Sequence, residues 1–281
     1  DWMTPTTKAR AETKLAAIVQ KIGYPSKWRD FSKLTIARDD YFGDIQRARA
    51  FATARDIAKI GKPTDRTEWG LPPQLINALY NPTNNDITFP AAILLPPFYA
   101  ESNDDALNYG AIGAVIGHEM THGFDDQGRQ YDKLGNLRDW WTPADGKQFS
   151  TRAACVTKQY GAMEAAPGVL QNGPLVTGES IADLGGLRIA YKAYEASQAG
   201  KPRRIINGYT PEQRFFLAFA TVWAENETPE VARFLGQSNE HPVSRNRVIG
   251  TLINMPEFAA AFHCTGSDKM VKPAAKVCRI W

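Results

Sequence analysis

His118-Glu119-Met120-Thr121-His122 brings together the residue types and spacing of a metal centre. On a helix, positions i and i+4 share one face, so both imidazoles can reach one zinc ion at ~2.0–2.1 Å. Glu119 points to the adjacent side, where it can take a proton from a metal-bound water without itself ligating. The same string could place two unrelated histidines on a helix surface. Two features argue for the site. Only four histidines occur in the chain and two fall here. The preceding Ala111-Ile112-Gly113-Ala114-Val115-Ile116-Gly117 is apolar and small, as in a buried helix.

Catalytic zinc takes three protein ligands and a water, so a third ligand must come from elsewhere. A pattern that completes the site with glycine at 125 and histidine at 128 is excluded, because Asp125 and Gly128 stand there. A glutamate a few helical turns further on would fall near Trp141-Thr142, and no acid occurs between Asp139 and Asp145. Gly178-Glu179-Ser180-Ile181-Ala182-Asp183 supplies two carboxylates at i and i+4 of a second helix. One of them can ligate the metal while the other accepts an imidazole N–H and fixes its tautomer. Such a pair is often a solvated helix face. Here Leu184-Gly185-Gly186-Leu187 follows, a run suited to close packing.

These residues need helices to carry them. Thr4-Pro5 opens a first helix, with Leu15, Ile18, Val19 and Ile22 as its apolar stripe and Gly23 as its stop. A second begins after Asp39-Asp40 and turns Tyr41, Phe42, Ile45, Ala48, Phe51 and Ala52 inward. Gly61 to Pro73 is a Gly/Pro-rich connector and sets the boundary between residues 1–62 and 63–281. Gln74–Tyr80 and Asp86–Phe89 read as short strands around the turn formers Asn81 to Asn85. Ala111–Gly123 is the helix of the histidines, Gly128–Pro143 is loop, and a helix over Gly178–Ser197 holds the carboxylates. Thr210-Pro211-Glu212-Gln213 and Thr228-Pro229-Glu230 are cap-and-proline helix starts. The whole is mainly α with a small antiparallel β-sheet, an α+β fold.

Composition narrows the alternatives. The chain has 281 residues, 43% hydrophobic and 22% charged, which excludes disorder and fibrous architectures. The longest apolar run, Phe215 to Ala224, is far short of the ~18 residues that span a bilayer. Asp1 to Pro5 shows no basic-then-apolar leader. A net charge of +3 without a Lys/Arg run speaks against nucleic acid. Three cysteines leave one without an internal partner.

The motifs resemble those of the neprilysin and endothelin-converting-enzyme family of zinc endopeptidases, including its bacterial oligopeptidase-like members. The likeness lies in His118–Asp126 (HEMTHGFDD) and Glu179–Gly186 (ESIADLGG). Asn77-Ala78-Leu79-Tyr80 is similar to the family's N-A-x-Y strand, and Pro90 to Phe98 to its P-A-x-I-L-x-P-P-F segment. Asp139-Trp140-Trp141-Thr142 and the terminal Cys278-Arg279-Ile280-Trp281 match two further stretches.

The resemblance implies a zincin-like metallopeptidase domain with one Zn2+ held by His118, His122 and Glu179. Glu119 would be the general base and Asp183 would orient a ligating histidine. His241 would stabilise the oxyanion and Arg247 would hold a substrate carbonyl, with Arg245 a competitor for that role. Asn77 and Ala78 would lie on an edge strand that pairs with an extended oligopeptide, cleaved before hydrophobic residues. The pattern departs from the family at Asn239-Glu240-His241, where the family carries an aspartate two residues before the histidine. Either Glu240 then orients His241 or its orientation is looser. His263 is assigned to structure.

The resemblance further implies a Cys155–Cys278 disulfide and a Cys264 whose partner lies outside the chain; three reduced thiols are the alternative. Family members are more than twice as long, so residues 1–62 would connect to an absent N-terminal capping part. The expected location is periplasmic or extracellular, with cytoplasmic as the alternative. A zinc-containing but inactive module, lacking the cap, is the rival functional reading.

Overall fold

The computed structural model describes residues 2–281. In chain order the elements are α1 (Pro5–Ala16), β1 (Val19–Gly23), α2 (Tyr41–Ile57), β2 (Leu79–Asn81) and β3 (Asp86–Pro90). Then follow α3 (Asp105–Asn108), α4 (Ala114–His122), α5 (Pro143–Gly161), β4 (Glu164–Ala166) and β5 (Val169–Leu170). The C-terminal part is helical: α6 (Thr177–Ser197), α7 (Pro211–Val222), α8 (Pro229–Ser238), α9 (Ser244–Leu252) and α10 (Pro256–Ala261).

One local device starts four of these helices. Thr4, Thr142, Thr210 and Thr228 are N-caps whose hydroxyls accept a backbone N–H from Thr7, Asp145, Gln213 and Val231, each followed by a proline. A proline there loses nothing, because the first N–H groups of a helix have no partner within it. At α7 the Gln213 side chain also returns to the Thr210 backbone, completing the expected capping box. Thr142-Pro143 is the same signal. It opens α5, a helix of 19 residues absent from the expected set.

The first helix is shorter than its apolar stripe predicts. It ends at Ala16, and Val19–Gly23 is a strand running parallel to β3, with β2 antiparallel on the other side. The β-branched Val19 and Ile22 favour the extended form, and β3 needs a backbone partner on that edge. Lys21 turns inward to a buried ion pair with Asp86 at 2.6 Å, while Ile22 is 59% exposed. The expected inward face of α2 is likewise not buried. Tyr41 and Phe42 are 80% and 74% exposed, because no element of the described residues packs over them.

Three apolar clusters hold the two helices that matter most. Ala114 of α4 and Leu184 and Leu187 of α6 pack with Phe215, Phe216, Phe219 and Phe258. Ile181 of α6 joins Trp140, Trp141, Phe149, Val156, Tyr160 and Ile280. Val115 of α4 joins Tyr80, Ile87, Phe89 and Ile112 around the sheet. Fully burying one such large side chain contributes about 1.5–3 kcal/mol, so each helix is fixed from two sides. A Cys155–Cys278 disulfide ties the C-terminal tail to α5, as expected from the resemblance, and Cys264 is free.

Candidate active site

Helices α4 and α6 approach at glycines. A Cβ on Gly117 would stand 2.5 Å from the Gly186 carbonyl oxygen, and one on Gly186 would stand 2.3 Å from the His118 nitrogen. Only hydrogen at both positions lets the backbones touch. This close approach brings His118 and His122 of α4 face to face with Glu179 and Asp183 of α6.

The result is a tight cluster. The two Nε2 atoms are 2.9 Å apart. Glu179 places Oε2 at 3.3 Å from His118 Nε2 and Oε1 at 3.5 Å from His122 Nε2. The far side of each ring meets its own carboxylate: His118 Nδ1 lies 2.8 Å from Asp183 Oδ1, and His122 Nδ1 lies 2.6 Å from Asp125 Oδ2. Asp125 thus holds the Nδ1 side of His122 by a hydrogen bond, Asp183 lies in ion-pair contact beside His118 Nδ1, and both rings turn Nε2 towards Glu179. Two lone pairs and a carboxylate repel unless a cation sits among them. Glu179 Oε2 is also buried with no hydrogen-bond partner among the described residues. Ligand atoms on a tetrahedral ion with ~2.0–2.1 Å bonds are roughly 3.3–3.4 Å apart, close to the spacings found here. The donor set fits zinc.

Asp125 was not among the expected site residues. It accepts backbone N–H bonds from Gln127 (2.9 Å) and Gly128 (2.7 Å) on one oxygen and offers the other to His122. Its position three residues after the second histidine is the signal that could have found it. Arg247 is buried and grips Asp183 with two nitrogens, Nε at 2.8 Å and Nη2 at 2.6 Å. Its guanidinium lies 3.7 Å over the Trp223 ring. Arg247 and not Arg245 therefore faces the cleft; Arg245 is exposed. His241 Nε2 reaches Glu179 Oε2 at 3.2 Å. Asn239 Oδ1 accepts from the His241 backbone N–H (2.8 Å) and faces its Nδ1 at 3.1 Å, so Asn239 itself orients this ring while Glu240 stays exposed.

Charges in the site are displaced in the directions this packing demands. Burial pushes Glu119 above the usual carboxylate range, partly offset by the two imidazoles. Burial alone would raise Glu179 too, but both histidines outweigh it and hold the group well below. Burial opposes the charge of Asp183, and Arg247 with His118 overcomes it, so its pKa is lowered.

The cluster lies in a cleft of about 690 Å³. Ile76 to Tyr80 line one side of it, so Asn77 and Ala78 border the cleft directly ahead of β2. β2 is one of the two edge strands of the three-stranded sheet. Phe98, Val115, Phe219, Val222 and Trp223 form an apolar wall. Every residue expected at the site borders this cleft; His263 is elsewhere, exposed, with φ +55°.

The family model for peptidase family M13 matches residues 77–278. Endothelin-converting enzyme 1 of Bos taurus is 41% identical over 290 residues, covering 100% of this chain and 38% of that protein. Neprilysin of Homo sapiens is 39% identical over 293 residues, covering 100% and 39%. Among solved structures, the Mycobacterium tuberculosis zinc metalloprotease Zmp1 in complex with an inhibitor superposes with a TM-score of 0.95 at 45% identity, covering 100% of this chain and 44% of that one. PepO from Lactobacillus rhamnosis gives 0.90 at 34%, covering 100% and 43%. The chain therefore spans about two fifths of the length of these relatives.

Proposed function

This chain belongs to peptidase family M13, and we propose that it forms the peptide-cleaving part of a zinc-dependent endopeptidase acting on oligopeptides. The observation that carries the reading is the facing of two histidine Nε2 atoms and the Glu179 carboxylate, each imidazole with its own second carboxylate beside Nδ1.

His118, His122 and Glu179 would hold one zinc ion. When bound, zinc acts as a Lewis acid that lowers the pKa of water and polarises the scissile carbonyl. The remaining work falls to side chains. Glu119, kept basic by its burial, takes the proton of the attacking water and returns it to the leaving amine nitrogen. His241, whose Nε2 lies 3.2 Å from Glu179 Oε2, donates to the carbonyl oxygen as it becomes negative. Arg247 has Nη1 free of hydrogen bonds among the described residues and offers it to a substrate carbonyl, while its other two nitrogens hold Asp183. Asn77 and Ala78 pair with an extended substrate backbone at the sheet edge. The apolar wall beside Arg247 suits a large hydrophobic side chain after the scissile bond, which supports cleavage on its amino side. The Cys155–Cys278 bridge supports an oxidising, periplasmic or extracellular location. Among the described residues no helix is long and apolar enough to cross a membrane.

The test is a quenched fluorogenic peptide with hydrophobic residues near its centre, with zinc content measured in parallel. The parent chain should carry about one zinc and cleave before a hydrophobic residue. Glu119→Gln should keep the zinc and lose activity by 100-fold or more, on the order expected for a general base. A purified chain without zinc, or hydrolysis unchanged by Glu119→Gln, would remove the assignment.

A further inference from the structure

Lys14 is the most unusual charge in the molecule. It lies on α1, ahead of the segment that the family model matches, and is 1% exposed. It makes no ion pair among the described residues. Its three ammonium protons instead meet three backbone carbonyls, those of Gly123, Gly128 and Tyr131, each at 2.7 Å. The rings of Tyr80, Phe124 and Trp140 surround it at 5.5–5.8 Å. Burying an ammonium costs several kcal/mol unless its surroundings repay it, and a methionine would fill the same volume without that cost. The position of the three carbonyls shows what the charge achieves.

Gly123 is the C-cap of α4, directly after His122, and its carbonyl lies at the end of the helix where a cation is favoured. Gly128 and Tyr131 lie where the following loop turns back. Between Gly123 and Gly128 sits Asp125, which holds the Gly128 N–H on one oxygen and His122 Nδ1 on the other. A single nitrogen therefore pins both ends of the loop that aims Asp125 at His122. We propose that Lys14 is a positioning residue for zinc: through the carbonyls of Gly123, Gly128 and Tyr131 it fixes the loop from which Asp125 orients His122. The inference rests on the zinc reading of the site.

The zinc dissociation constant, measured by chelator competition on the whole chain, tests it together with near-ultraviolet circular dichroism and thermal unfolding of the zinc-free forms. Lys14→Met should weaken zinc binding roughly 10–100-fold, the usual effect of losing an outer partner of a metal ligand. Phe51→Ala, which removes the packing of α2 against Phe31 away from the cleft, should lower the unfolding temperature and leave zinc affinity unchanged. Lys14→Met added to Asp125→Asn should weaken binding little beyond Asp125→Asn alone, since Lys14 acts through Asp125. Lys14→Arg keeps the charge but cannot aim three protons of one nitrogen, so it should weaken binding by an intermediate factor. Lys14→Ala should regain affinity with added n-propylammonium and not with n-propanol.

A folded Lys14→Met with zinc affinity within about threefold of the parent overturns the proposal, as does full additivity with Asp125→Asn. If Lys14→Met does not fold, unchanged affinity in Lys14→Arg or no response of Lys14→Ala to the amine overturns it equally. A parent chain that binds no zinc defeats the proposed function instead, and the two failures are told apart by that control.

Discussion

Substituting Gly186 by alanine tests whether the contact between α4 and α6 sets the ligand geometry. The new Cβ would stand 2.3 Å from the His118 nitrogen, 2.7 Å from its Cα and 2.8 Å from the Ala114 oxygen. Carbon normally packs at ~3.5–4.0 Å from such atoms, so about 1 Å must be gained. All three neighbours are helix backbone, which cannot turn aside as a side chain can. The helices must therefore separate, carrying Glu179 away from His118 and His122. Metal-ligand distances tolerate only about ±0.2 Å, a small fraction of that displacement. Overpacking itself costs ~1–3 kcal/mol, which a fold fixed by three apolar clusters can absorb. The expected result is a folded chain whose zinc affinity falls 100-fold or more, about 2.7 kcal/mol, with peptide hydrolysis falling in step. Gly185→Ala is the comparison. Its Cβ meets the Thr121 side chain at 2.7 Å and Trp281 Nε1 at 3.3 Å, and Thr121 can change rotamer, so zinc binding should weaken much less. Zinc affinity within about threefold of the parent in Gly186→Ala would refute the reasoning, since 1 Å of helix separation could not leave it untouched.

Asn239→Ala removes the oxygen that holds both the His241 backbone N–H and its Nδ1 side. Steady-state kinetics should show kcat reduced roughly tenfold or more with KM nearly unchanged, because His241 acts on charge that develops after binding. Asp145 accepts from the Thr4 hydroxyl and N–H and from Thr142. Burial opposes its charge, but these bonds outweigh it and bring its pKa down to about 2 from 3.8. A depressed carboxylate stabilises the fold fully above the unfolded value and loses that contribution as pH falls through the folded one. The unfolding temperatures of the parent and Asp145→Asn should therefore differ most above about pH 4 and converge towards pH 2; a gap constant over that range would contradict this. Zinc removal should be accompanied by proton uptake. Burial resists protonation of His118 and His122, yet their carboxylate partners outweigh it and both pKa values end above the ordinary one. Protons therefore compete with the metal to higher pH than at free histidines, and zinc affinity should fall as pH drops from 8 to 6. Calorimetry in two buffers of different ionisation heat measures the protons; binding without proton exchange would refute the competition.

What could be read in the sequence was local. His118, Glu119 and His122 carry their geometry in their spacing. Glu179 and Asp183 are joined to it by Gly185-Gly186, whose smallness signalled close packing, and the Thr-Pro pairs at Thr4, Thr210 and Thr228 announce helix starts. The same signal at Thr142 falls in a stretch that reads as loop, although it opens α5. What escaped depends on distant partners. Val19 and Ile22 fit a helical stripe as well as a strand, and only the open edge of β3 selects the strand. Lys14 carries no signal of its own in the sequence, because its partners are the carbonyls of the loop from Gly123 to Tyr131. Asp125 looked only like a residue that excluded one ligand pattern, because its role needs the loop to turn back on His122.

Charge explains why these distant pieces belong together. Glu119, Asp125, Glu179 and Asp183 converge on two imidazoles in a largely buried site. Arg247 answers Asp183 directly, and Lys14 raises the potential beneath the loop of Asp125. Those two cations balance two of the four carboxylates, and a dication supplies what remains. Without it, repulsion is relieved by protons, which is why both histidines are held more basic than usual while Glu179 stays ionised. The same balance makes Lys14 and Arg247 unequal in kind. Arg247 touches the site and can meet substrate, whereas Lys14 lies behind the metal ligands and acts through backbone carbonyls and through its charge near Asp125. Loss of the first should therefore impair turnover of a zinc-loaded chain, and loss of the second should impair the loading itself.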